Sequence, residues 1–193
     1  MTTANKITIW RILLVPVFIV QMLYYIGSGD EWHRLIAILV FGIAIITDGI
    51  DGYIARRYNQ RTELGAILDP MADKLLLVSA VILLSIDTHQ HFHRLPIWLV
   101  GTIVGRDVIL FLGLIVIHYT FGKIKVRASI FGKIATVFQM ATVLWTMLHW
   151  DKDFLPWLTI STALFTGGSG LLYVWDGVRQ ANACPEASPS KES

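Results

Sequence analysis

Apolar residues fall along this chain in six long runs, roughly residues 8–27, 34–56, 64–86, 95–119, 130–150 and 154–178, with short polar links between them. Each run is long enough for the ~20 helical residues that cross a hydrocarbon core. The period-two alternation that a membrane β-barrel needs is absent. The pattern predicts an all-α, polytopic membrane protein with six transmembrane helices. The closing stretch QANACPEASPSKES is small and polar, a composition that buries too little to order itself. The expected division is a membrane domain over 1–179 and a disordered polar tail over 180–193.

Composition agrees with this pattern. Hydrophobic residues make up 54% of the 193, and the mean hydropathy is +0.59. A water-soluble domain of this length would be less apolar. Lys6 before the first run resembles the start of a signal peptide, but the run from Ile12 to Ile26 has no small-x-small cleavage site and further runs follow. The first run is therefore read as a retained helix.

Lys and Arg give the orientation. With the N-terminus cytoplasmic, Lys6, Arg57, Arg61, Lys123, Lys125, Arg127, Arg179 and Lys191 fall on the inner side, and only Arg34, Arg94 and Lys152 in the outer loops. This is the positive-inside asymmetry, and it puts both termini in the cytoplasm. Trp32, Trp98, Trp150 and Trp157 then form an outer aromatic belt, with Trp10 and Trp175 near the inner interface. The net charge of +2 is too small to imply a nucleic-acid partner. His89, His91 and His93 read as a solvated outer loop, and the lone Cys184 as a free surface thiol.

The polar positions that need explaining lie inside the second and third runs. Asp48 and Asp51 stand at i,i+3, and Asp69 and Asp73 at i,i+4, so each pair shares a helix face. The link RYNQRT makes the two helices antiparallel neighbours. Counted from that link, Asp51 and Asp69 both sit ~8–9 Å into the helical pair, with Asp48 and Asp73 a turn deeper. Four carboxylates thus converge on one point near the cytoplasmic side. Burying a single aspartate in a membrane costs roughly 2.5–3.5 kcal/mol, and four repel one another. Arg56 and Lys74 offset part of that charge. A pair of divalent ions, Mg²⁺ or Mn²⁺, offsets it better and suits phosphoryl chemistry. Gly49, Gly52, Ala55, Gly65, Ala66 and Ala72 let the helices approach closely or leave room for a ligand.

The pattern Asp48-x2-Asp51-Gly52-x2-Ala55-Arg56-x8-Gly65-x3-Asp69-x3-Asp73 is similar, at every fixed position, to the signature of the CDP-alcohol phosphatidyltransferases. The opening NKITIWRILLVPVF, with Asn5, Thr8 and Arg11, resembles the N-terminal segment of that family. GRDVIL and FGKIATVFQM resemble later segments of its branch that makes phosphatidylglycerophosphate and cardiolipin. The resemblance implies an active site between helices 2 and 3, where an alcohol attacks the β-phosphorus of CDP-diacylglycerol and CMP leaves. It implies that Asp48, Asp51, Asp69 and Asp73 hold two divalent metals and that Asp73 is the general base. Gly52, Ala55, Arg56 and Gly65 would contact the CDP-lipid. It also implies a homodimer in a bacterial inner membrane.

The acceptor alcohol rests on other residues. Arg106 lies in the middle of the fourth run, where a charge is functional by default or forms a structural pair with Asp107. Arg106, Lys133 and Arg127 are candidates to grip an acceptor phosphate. The expected acceptor is sn-glycerol 3-phosphate, with phosphatidylglycerol, giving cardiolipin, as the alternative. Two departures bear on the choice. Asp107 stands where glutamate is associated with glycerophosphate-using members, and Ala135 where a polar or basic residue is usual. A cation transporter or channel is the remote rival. It would show inverted repeats or broken helices, whereas the acidic cluster occurs once.

Overall fold

The computed structural model consists of six α-helices in sequence: α1 (Thr3–Ser28), α2 (Glu31–Tyr58), α3 (Glu63–Ile86), α4 (Ile97–Phe121), α5 (Ile130–Met147) and α6 (Leu155–Ala183). It describes residues 3–58, 63–86, 94–121 and 130–183, with side chains at 10–48, 74–86, 94–113 and 130–175. No strand occurs among them. The loop with His89, His91 and His93, the loop bases Arg61, Lys123, Lys125 and Arg127, and the end of the tail with Cys184 lie outside the described residues. Two segments, Trp10–Ser28 and Ile130–Met147, are each long and apolar enough to cross a membrane.

Helix ends differ from the apolar runs because capping, not hydropathy, sets them. α1 stops where Gly29 takes φ 72° and donates its N–H to the Tyr25 carbonyl at 2.8 Å. That left-handed position is a common helix stop, and glycine adopts it without strain. Asp30 then caps α2, its carboxylate accepting from Trp32 N–H at 3.1 Å. At the other hairpin α5 ends at Met147, three residues before the apolar run does. His149 has φ 52°, unusual for a residue with a side chain. Arg34 on α2 holds it there, donating from Nη1 to His149 Nδ1 at 2.8 Å and to the Met147 carbonyl at 3.2 Å. α6 goes the other way. It continues to Ala183, so residues 180–183, assigned to the tail, are helical. Gln and Ala in this stretch are good helix formers.

The core begins with α1. Arg11, Val15, Phe18, Met22 and Tyr25 are buried at alternating spacings of four and three, a single stripe. It packs on α2 and α3. Phe18 meets Phe41 with ring centroids 5.7 Å apart. Ala37, Val40, Phe41 and Ala44 supply the α2 side, and Leu76, Leu77, Ala80, Val81 and Leu84 the α3 side.

The α5–α6 pair is joined differently. Gly132, Ala135, Gln139, Thr142 and Thr146 form the buried stripe of α5, facing Thr159, Thr162, Thr166 and Ser169 on α6. Thr142 and Thr162 hydroxyls meet at 2.8 Å, and Gln139 Nε2 donates to Thr166 Oγ1 at 2.9 Å. Small residues and hydroxyls at a helix seam are what lipid favours, since apolar side chains gain little there by leaving it. The outer surface is the complement. Leu13, Leu39, Ile43, Phe111, Leu164 and Leu171 are all exposed. At the α5–α6 seam polar groups face inward, and over the whole surface large apolar side chains face outward, unlike a protein folded in water.

Ala135 now has an explanation. It is fully buried on the seam stripe, where a long side chain would push α5 and α6 apart. Ala135→Leu is expected to destabilise the protein by about 1–3 kcal/mol. Val137→Leu, on the exposed face of the same helix, should leave stability near wild type. Thermal unfolding in detergent checks both.

Candidate active site

α2 carries Asp48 and Asp51 with Gly52, Ala55 and Arg56, and α3 carries Gly65, Asp69 and Asp73. Both acid pairs therefore lie on continuous helix, so their i,i+3 and i,i+4 spacings put each pair on one face. Of these residues only Asp48 has a described side chain; those of Asp51, Gly52, Ala55, Arg56, Gly65, Asp69 and Asp73 lie outside the described residues.

Asp48 is tied to the first helix. Arg11, whose side chain is wholly buried, donates from Nη1 to Asp48 Oδ1 at 2.9 Å. The carboxylate itself is 39% exposed, and among the described residues Oδ2 has no hydrogen-bond partner. Among the described residues, then, a buried cation fixes one oxygen and nothing engages the other. An open, oriented carboxylate oxygen is a donor of the kind Mg²⁺ and Mn²⁺ prefer. Among the described residues no three acidic, histidine or cysteine side chains converge. The rest of the candidate set is beyond that search.

The second group lies on α3, α4 and α6. Lys74, next to Asp73, donates from Nζ to both Asp107 oxygens at 2.6 and 2.7 Å. Arg106 Nη1 donates to Asp107 Oδ1 at 2.7 Å. Arg106 Nε reaches Ser169 Oγ on α6 at 3.2 Å, and that hydroxyl in turn donates to the Thr166 carbonyl at 2.8 Å. Arg106 is buried among these partners. The structural pairing of Arg106 with Asp107 is therefore real, and the same carboxylate is shared with Lys74. Lys133 is exposed in the first turn of α5. Lys74 connects this group to the acidic motif through the chain itself, being the residue after Asp73.

Arg11 and Ser169 were not among the candidate residues drawn from the sequence. Arg11 did leave a signal, since a cation within an apolar helix must find a partner or water. Ser169 left none beyond the run of small residues TGGSG in α6.

A family model described as CDP-alcohol phosphatidyltransferase matches residues 1–167. The chain belongs to the CDP-alcohol phosphatidyltransferase family. Membership makes it a transferase, and the matched span takes in both acid pairs and the Arg106–Asp107–Lys74 group. Among relatives of this phosphatidyltransferase, one from Salmonella typhimurium (strain LT2) is 34% identical over 181 residues, covering 92% of this chain and 91% of the relative. One from Escherichia coli (strain K12) is 33% identical over the same length. Both are named CDP-diacylglycerol–glycerol-3-phosphate 3-phosphatidyltransferase.

Proposed function

We propose that the protein transfers a phosphatidyl group from CDP-diacylglycerol to sn-glycerol 3-phosphate in a membrane, releasing CMP and forming phosphatidylglycerophosphate. The observation that carries this reading is the match to relatives named for that reaction along more than nine-tenths of both chains. The inward polar seam and outward apolar surface support a bilayer as the surroundings. Six spans, with both termini and the acid pairs toward the cytoplasm of a bacterial inner membrane, fit the distribution of Lys and Arg.

In this mechanism Asp73 accepts the proton of the acceptor hydroxyl. The oxygen forms a bond to the β-phosphorus of the CDP-lipid, and the bond from that phosphorus to the CMP oxygen breaks. Asp48, Asp51, Asp69 and Asp73 would hold two divalent ions, Mg²⁺ or Mn²⁺. Bound there, such ions supply charge stabilisation to the diphosphate and to the departing CMP. Arg11 fixes one oxygen of Asp48 and so presents the other. Gly52, Ala55 and Gly65 leave space for the nucleotide, and Arg56 supplies positive charge beside it. Arg106 and Lys133, with Arg127 from the preceding loop, bind the acceptor phosphate.

The test is an acceptor screen on protein purified in detergent with CDP-diacylglycerol and Mg²⁺ or Mn²⁺. Glycerol 3-phosphate, phosphatidylglycerol, inositol phosphate and serine are offered separately. CMP release and product mass are read. Turnover is expected with glycerol 3-phosphate. Turnover with phosphatidylglycerol alone would make the protein a cardiolipin-forming enzyme instead.

A further inference from the structure

α3 and α4 are joined at two levels. At the hairpin between them, Leu95 N–H donates to the Leu84 carbonyl at 3.3 Å and Arg94 Nε to the Ser85 carbonyl at 2.8 Å. Lys74 lies ~15 Å along α3 from Leu84. There its Nζ meets both oxygens of Asp107 on α4, at 2.6 and 2.7 Å. Between the two levels Leu77, Ala80 and Val81 of α3 share one buried apolar cluster with Leu99 and Ile103 of α4. Apolar contact is non-directional and fixes neither angle nor distance closely. The ionic contact does both.

Asp107 is the fixed end of this bridge. Its Oδ1 also accepts from Arg106 Nη1 at 2.7 Å, and Arg106 Nε reaches Ser169 on α6 at 3.2 Å. The Arg106 side chain is packed on both flanks. A Cβ built on Gly170 would stand 3.2 Å from its Cγ, and one on Gly132 would stand 3.1 Å from its Nη2 and 3.6 Å from Tyr173 Cε2. Side-chain exposure rises along the series, from 7% at Arg106 to 16% at Asp107 and 36% at Lys74. The bridge thus runs from a buried anchor on α4 and α6 to the helix that carries Asp69 and Asp73.

Lys74 directly follows Asp73 in the chain. Proton transfer needs the acceptor hydroxyl and the base within hydrogen-bond reach, and a misplacement of ~1 Å can cost about 100-fold in rate. Pinned at the hairpin alone, α3 would need to rock by only roughly 4° to move the level of Asp73 by ~1 Å. We infer that Lys74 and Asp107 are positioning residues. Their bridge holds the α3 backbone at Asp73 at a set distance from Arg106, and so aligns the general base with the hydroxyl of an acceptor anchored on α4. Neither residue needs to touch the acceptor or the CDP-lipid. This rests on the reading of Asp73 as the base and of Arg106 as the acceptor anchor.

The experiment uses the full chain in detergent with CDP-diacylglycerol, glycerol 3-phosphate and Mg²⁺. Lys74→Met breaks the bridge from the α3 side, so Asp107 keeps Arg106 as its partner. In this variant kcat should fall by about 10–100-fold. The KM for glycerol 3-phosphate should stay at its wild-type value. Lys74→Arg, whose fork can still meet both Asp107 oxygens, should recover most of kcat. Lys74→Gln, with a neutral donor in place of the ammonium, should fall between the two, and it carries the same test if the methionine variant does not fold. An unchanged kcat in the folded variant overturns the inference, as does a rise in KM at unchanged kcat, or an arginine variant no faster than the methionine one. Asp107→Asn completes a double-mutant cycle on kcat. A shared bridge predicts that Lys74→Met with Asp107→Asn is about as slow as the slower single variant. Effects that multiply would mean that the two side chains act independently, and overturn the inference. The parent reading fails separately, when the wild type does not turn over glycerol 3-phosphate or when Asp73→Asn turns it over at the wild-type rate.

Discussion

Asp73→Asn is expected to lower CMP release by about 10²–10⁴-fold, the usual contribution of a positioned general base. The amide has the same shape as the carboxylate but cannot take the acceptor proton. Its surroundings should survive the change. Asp73 lies within continuous α3, and the next residue, Lys74, is anchored to α4 through Asp107. The melting temperature in detergent should therefore stay near wild type. Because Asp73 is also a candidate metal ligand, Mn²⁺ affinity by electron paramagnetic resonance separates the two roles. Lost turnover with retained Mn²⁺ binding is the signature of the base. Wild-type turnover in the variant would sink that assignment.

Removal of divalent cations should stop the reaction outright, and Mg²⁺ or Mn²⁺ should restore it. The physical reason is the charge of the donor set. Without cations, four acids gathered at the proposed site would have to take up protons or repel. Among the described residues, Asp48 has a fixed counter-charge, Arg11 at 2.9 Å. Arg11→Met should accordingly weaken Mn²⁺ binding, because the Asp48 carboxylate loses the contact that orients it. Direct Mn²⁺ titration of wild type and variant checks this without reference to turnover. Persistent CMP release in metal-free buffer would count against the acidic cluster as a metal site.

Much of the fold was readable because the relevant signal is one-dimensional. Six apolar runs became six helices, and the acid spacings fell on helix as expected. The ends were not readable from hydropathy. Gly29 and His149 stop their helices through backbone geometry, and Arg34 reaches His149 from a distant part of the chain. The candidate site divides in the same way. The aspartates carried their own pattern of spacing. Lys74 to Asp107, Arg11 to Asp48 and Arg106 to Ser169 are pairings between helices, and nothing along a single helix specifies them. Gly132 and Gly170 were equally silent, since a missing side chain matters only once a neighbour occupies the space.

The shared carboxylate of Asp107 has an evolutionary consequence. It serves a lysine from α3 and an arginine from its own helix at once. A change at 107 alone takes a counter-charge from both, so its effect cannot be repaired at either cation singly. A lineage that replaced Asp107 with an apolar residue would take one carboxylate from both cations in a single step, so substitutions at 74, 106 and 107 should be inherited together.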